Sequence, residues 1–189
     1  MKLSPIIAQI QAECPSFKQV AGSASSDMEL KASPGSLPAA YVILSDMDGD
    51  LSEQYGNEFA QELTERFIVL VVLDNRGRDH RGQAAADTLH DLRTELFKAL
   101  LQWSPDDEHD PIELDGGSLA DFPGDRLFYS FQFKATTTLR KEDTWQQVAY
   151  ERLGPLDHLH VEVDKIEDEK KAPDGRLEAV MDFSFKDGA

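Results

Sequence analysis

Three stretches predict an α/β (α+β) domain: a mixed, mostly antiparallel β-sheet with a long amphipathic helix and a short N-terminal helix packed against it. Phe67 to Leu73 is an unbroken apolar run, mostly β-branched or aromatic. Such a run predicts a strand buried on both faces and therefore central in a sheet. Behind it, Ala85, Leu89, Leu92, Leu96, Leu100 and Trp103 recur every three or four residues, the apolar stripe of a helix from about Asp79 to Gln102 that needs a sheet to cover it. From Arg126 to Leu139, Leu127, Tyr129, Phe131, Phe133 and Ala135 alternate with Arg126, Ser130, Gln132, Lys134 and Thr136. That is a half-buried strand, with Phe128 the exception.

With 189 residues the chain suits one domain, its core over about 37–139 and an additional C-terminal β-hairpin over 156–186. Thirty-six acidic side chains face 19 basic ones, a formal charge of −17. Affinity for nucleic acid comes from counterions released by Lys and Arg, and no basic cluster here is long enough to supply it. The same sign opposes anionic lipid, and no apolar run is long enough to span a bilayer. Cys14 is the only cysteine, so the chain suits a reducing compartment. The N-terminus lacks the apolar stretch of a signal peptide.

Taken in order, Ser4 reads as an N-cap and Pro5 as a first-turn residue of a helix to Glu13 whose apolar face is Ile6, Ile7 and Ile10. Phe17 to Val20 predicts a short strand, followed by a small, polar connection to Gly35. Tyr41 to Leu44 predicts a second apolar strand. Asp46 to Asn57 reads as an exposed acidic loop, the solvated tip of a long hairpin that returns through Phe59 and Leu63 to the central strand. Pro105 ends the long helix, and Gly82 weakens its first turn. Ile112, Leu114 and Leu119 around Gly116-Gly117 predict a small hairpin. Trp145 to Arg152 predicts a brief helix. In the tail, Leu159, Val161 and Val163 face a second alternating run, Leu177 to Phe185, across a charged connection from Asp164 to Gly175.

Few residues suggest chemistry. Asp46, Asp48 and Asp50 are spaced like the opening of an EF-hand calcium loop. Leu51 and Asn57 then stand where that loop needs a glycine and a bidentate glutamate, so a solvated loop is the simpler reading. His158 and His160 share a strand face with Glu162 and could chelate a metal, yet a polar outer face needs such residues anyway. Asp79 and His80 read as an N-cap and its neighbour. Phosphate-binding glycine loops, Cys-x-x-Cys pairs and nucleophile elbows are absent. No catalytic residue, cofactor or metal is expected.

The order of motifs is informative. Leu37-Pro38-Ala39-Ala40-Tyr41-Val42-Ile43 is followed by Asn57 and Gln61, by Glu65 through Asn75, by Asp79, Arg81 and Gly82, and by a helix ending Ala99-Leu100-Leu101-Gln102-Trp103 before Pro105. Gly116-Gly117 and Leu127-Tyr129-Phe131-Phe133 complete the series, and over about 37–135 it resembles the phage tail terminator family. The resemblance implies a structural virion protein. Six copies would form a ring that caps the tail tube, stops its growth and receives the head–tail connector, and in a contractile tail meets the last sheath ring. DNA would pass through the lumen unbound. The acidity and length of the Asp46 to Asn57 loop, rather than the resemblance, suggest that it is the protrusion facing either the lumen or the tube, with Asp46, Asp48, Asp50, Glu53 and Tyr55 as its interface or lumen residues. Another connector, completion or tube protein of the same virion is the nearest alternative. A metal-dependent enzyme using the Asp46 to Asp50 carboxylates or His158 and His160 is the more distant one.

Overall fold

The computed structural model describes residues 1–23, 36–51, 53–55, 58–76, 83–121, 125–154, 156–163 and 179–185, with 53–55 and 58 described for backbone only. The chain forms two compact units, Met1–Asp143 and Thr144–Ala189.

In the first unit, helix α1 (Leu3–Glu13) leads to β1 (Gln19–Ser23), β2 (Ala39–Gly49), β3 (Glu53–Tyr55) and β4 (Glu58–Asp74). Helix α2 (Gln83–Leu100), β5 (Glu113–Asp121), β6 (Arg126–Arg140) and a 3-10 turn at Lys141–Asp143 complete it. The sheet order is β1-β2-β4-β6-β5, with β3 pairing the start of β4. β1 runs parallel to β2, and the other pairings are antiparallel. The apolar run of β4 is therefore central, as expected of a strand that neither face exposes.

Both helices pack on one face of this sheet. Ile6, Ile10, Ala85, Leu92, Leu96 and Leu100 meet Phe67, Val69, Val71, Leu73, Phe131 and Phe133 in one buried cluster. Phe67 and Phe133 are cross-strand partners with stacked rings 5.4 Å apart, and Phe97 of α2 meets Phe133 edge-on at 6.4 Å. The opposite face buries Ala39, Tyr41, Ile43, Leu70, Val72 and Phe128. Phe128 breaks the alternation of β6 because its end of the sheet is apolar on both sides.

Several elements depart from the sequence reading. Helix α1 begins at Leu3, after Lys2, which makes no side-chain cap; Ser4 and Pro5 lie inside the first turn, where missing N–H bonds cost nothing. Strand β1 runs to Ser23 rather than stopping at Val20. Helix α2 is described from Gln83, so Asp79, His80 and Gly82 lie outside the described residues. It ends at Leu100 and turns at Gln102, whose φ is 65°. Gln102 N–H then bonds Ile112 carbonyl at 3.0 Å, and Ile112 N–H returns to Trp103 carbonyl at 2.9 Å. Gly116 and Gly117 are not a turn. They lie within β5 beside a bulge between Leu114 and Gly116, where a Cβ on Gly117 would sit 3.1 Å from the Tyr129 ring. Glycine there lets the ring lie across the strand.

The second unit has helix α3 (Trp145–Glu151) and a two-stranded antiparallel sheet of β7 (His158–Val163) and β8 (Ala179–Ser184). Thr144 caps α3 by accepting the Gln146 N–H, and the Arg152 guanidinium stacks over Trp145 at 4.8 Å. Leu159, Val161, Val163, Met181 and Phe183 share one face of the two-stranded sheet by register. His158, His160, Glu162, Asp182 and Ser184 share the other.

Candidate functional site

The acidic stretch expected to be a loop is mostly strand. β2 continues past Leu44 to Gly49, paired to β4 from Met47↔Glu65 to Gly49↔Leu63. Asp50 N–H bonds Glu62 carbonyl at 2.9 Å, and β3 pairs β4 from Glu53↔Ala60 to Tyr55↔Glu58. The long hairpin is present. Its distal half is held by the backbone ladder, because from Leu44 to Gly49 every β2 residue is exposed.

A bulge decides what this arm presents. Leu44 pairs Phe67 and Met47 pairs Glu65, so Ser45 and Asp46 together stand opposite Arg66. In regular register Met47 would share Arg66's face and Asp48 would point to the face that carries the helices. The extra residue reverses the two. Asp48 consequently accepts a hydrogen bond from Arg66 Nη1, and Asp46 lies 4.0 Å from the same nitrogen. The bulge in β5 contributes similarly, with Asp115 accepting from Arg66 Nε at 3.1 Å. Lys134, the cross-strand partner of Arg66, pairs with Glu113 at 3.3 Å.

The result is a charged patch on the sheet face without helices. The Asp48 hydrogen bond, followed by that of Asp115, raises the Arg66 pKa. The Ser45 hydroxyl, a backbone N–H and Arg66 hold Asp46 below its ordinary value against a small opposing burial effect. Asp46 and Asp48 thus have a protein counterion, unlike the open carboxylates of a calcium loop. Asp50 is set further along the arm, its carbonyl accepting from Gln61 Nε2 at 2.7 Å. Glu53 and Tyr55 belong to β3.

A second polar cluster, on the other face, had no counterpart in the sequence reading. The Met1 amine reaches both Glu65 carboxylate oxygens at 2.6 Å. His109 donates from Nε2 to Glu65 at 2.7 Å and from Nδ1 to Asp106 at 2.7 Å. Burial disfavours the imidazolium, but the Glu65 and Asp106 hydrogen bonds outweigh it and raise the His109 pKa. Burial likewise opposes ionisation of Glu65, and the amine and His109 outweigh it to lower that pKa. Thr137 extends the cluster by donating to Glu108 carbonyl at 2.8 Å. Glu65 and Arg66, adjacent in β4, therefore anchor one cluster on each face.

In the second unit His158, His160 and Glu162 do share a face, as the alternation predicts. The register adds Asp182, which sits directly across from His160. Its Oδ1 lies 2.6 Å from His160 Nδ1 and 3.1 Å from His158 Nε2. Among the described residues no helix is long and apolar enough to cross a membrane.

The fold and its surface thus define an α+β subunit whose sheet carries a charged, bulged strand arm. The family model for the phage tail terminator protein matches residues 1–145, and this chain belongs to that family. It is a structural protein of a phage tail. A search of curated proteins finds no match. Among solved structures, a chain from the virion of a native gene transfer agent particle is similar at 14% identity and a TM-score of 0.40, covering 72% of this chain and 86% of that one.

Proposed function

We propose that this chain is a tail terminator whose copies close into a homohexameric ring on the finished tail tube, stop its growth and present a surface to the head–tail connector. In a contractile tail the same ring meets the last sheath ring. The observation that carries this reading is the family match over residues 1–145, a span that takes in the six-stranded sheet and both helices packed on it. The role is structural and non-catalytic, exercised in the virion tail after assembly in the host cytoplasm.

Closing a ring requires one patch on each subunit to bind a different patch on the next. The β2–β4 arm supplies one candidate patch, because among the described residues β2 runs on past the stretch that pairs β1, from Leu44 to Gly49, and there offers both charge and a backbone edge. Asp46, Asp48 and Asp50, with Glu53 and Tyr55, form its contact or lumen-facing residues in this reading. Carboxylates in a lumen give DNA no counterion-release gain, so the strand passes without being held. Electron microscopy of tails made with and without the protein tests the reading: its absence yields abnormally long, headless tubes. Tubes of normal length joined to filled heads would refute it. A ring reconstruction with the arm on the outer rim, free of contacts, would refute its assigned place.

A further inference from the structure

We propose that the polar face of the C-terminal two-stranded sheet is a transition-metal site, with His158 and His160 of β7 and Asp182 of β8 as ligands for a divalent cation of the zinc class. Two imidazoles at positions i and i+2 of one strand project to the same side. The antiparallel register places Asp182 directly opposite His160. One ligand atom from each of the three lies within 4.8 Å of the others.

Zinc bonds of about 2.0–2.1 Å to nitrogen and oxygen put tetrahedral ligand atoms about 3.3 Å apart. A 4.8 Å separation would have to close by about 1.5 Å and the 2.6 Å between His160 Nδ1 and Asp182 Oδ1 to open by less than about 1 Å, both within the reach of side-chain rotation on an exposed strand. Two nitrogen ligands and one carboxylate suit zinc, nickel or copper better than calcium or magnesium, which prefer all-oxygen sites. Water completes the coordination. Glu162 lies 3.1 Å from His160 Nε2, where it orients the ring as an outer-shell carboxylate does. The expected consequence is mechanical: an isolated two-stranded sheet is marginal, and a cation bonded to both strands fixes their register. This site is independent of the ring proposed above.

The test is calorimetric titration of Zn²⁺ into the untagged full-length chain, with the same titration of H160A and D182N and an X-ray absorption spectrum of the zinc-loaded protein. The expected result is one Zn²⁺ per chain, a spectrum with two imidazole ligands, and affinity lowered by at least about tenfold in each variant. Excess Mg²⁺ leaves it bound. Binding unchanged in both variants, an all-oxygen spectrum, displacement by Mg²⁺, or one ion per two chains would each overturn the assignment.

Discussion

His109 stands between two carboxylates with its side chain only 6% exposed. Its raised pKa gives stability that is fully present below the ordinary histidine value of about 6.5 and is lost as pH rises through the folded value. Glu65 has a lowered pKa, so its contribution is present above about 4.3 and is lost as pH falls through its folded value. The cluster therefore stabilises the fold most between about pH 4.3 and 6.5. Replacing His109→Gln should cost about 2 kcal/mol there, measured by denaturant unfolding, with the deficit shrinking above neutrality; a pH-independent deficit would contradict the paired-imidazolium reading. Cys14 gives a second residue-level prediction. Burial, then the charges of Glu95 and Glu13, push its thiol up to about 12. Alkylation by iodoacetamide at mild alkaline pH should be negligible in the native protein and rapid after unfolding. None of this was legible in the sequence, because His109 lies in an ordinary acidic loop and its partner Glu65 is 44 positions away.

Elements with an internal repeat were readable, while those held by a neighbour were not. The stripe of α2 and the alternation of β6 announce themselves, since each needs one apolar partner and shows it at a fixed period. Phe133 is where they meet. Phe133→Ala removes its contacts with Phe67 and Phe97 and should cost about 3–5 kcal/mol, read from chemical denaturation. The distal half of β2 is different: Ser45, Asp46, Asp48 and Gly49 favour turns, and only pairing with β4 keeps them extended. Gly116-Gly117 misleads in the same way, because glycine at a close ring contact has the composition of glycine at a turn. Deleting Ser45 tests the bulge directly. The deletion leaves Asp46 alone opposite Arg66 and keeps Met47 and Asp48 opposite Glu65 and Thr64, so the regularised ladder should retain the Asp48–Arg66 pair and exchange its amides across Met47–Gly49 no faster than the parent; faster exchange would show that the bulge itself holds the arm.

At the scale of the whole molecule, the family match ends at residue 145, close to where the chain divides after Asp143. Fold and family were legible because the order of strand, hairpin, helix and strand is set by patterns that any packed sheet must keep. The charged arm was legible only in part: the positions of Asp46, Asp48 and Asp50 suggested an exposed surface, but neither the bulge nor the pairing with Arg66 leaves a local trace. A net charge of −17 predicts that the purified protein retains no duplex DNA even at low ionic strength, where counterion release is strongest. A salt-sensitive gel shift would contradict a passive lumen. The most direct test of the central claim is the length distribution of tail tubes assembled without this protein. The account predicts tubes that overrun their normal length and carry no heads, whereas uniform tubes joined to filled heads would contradict it.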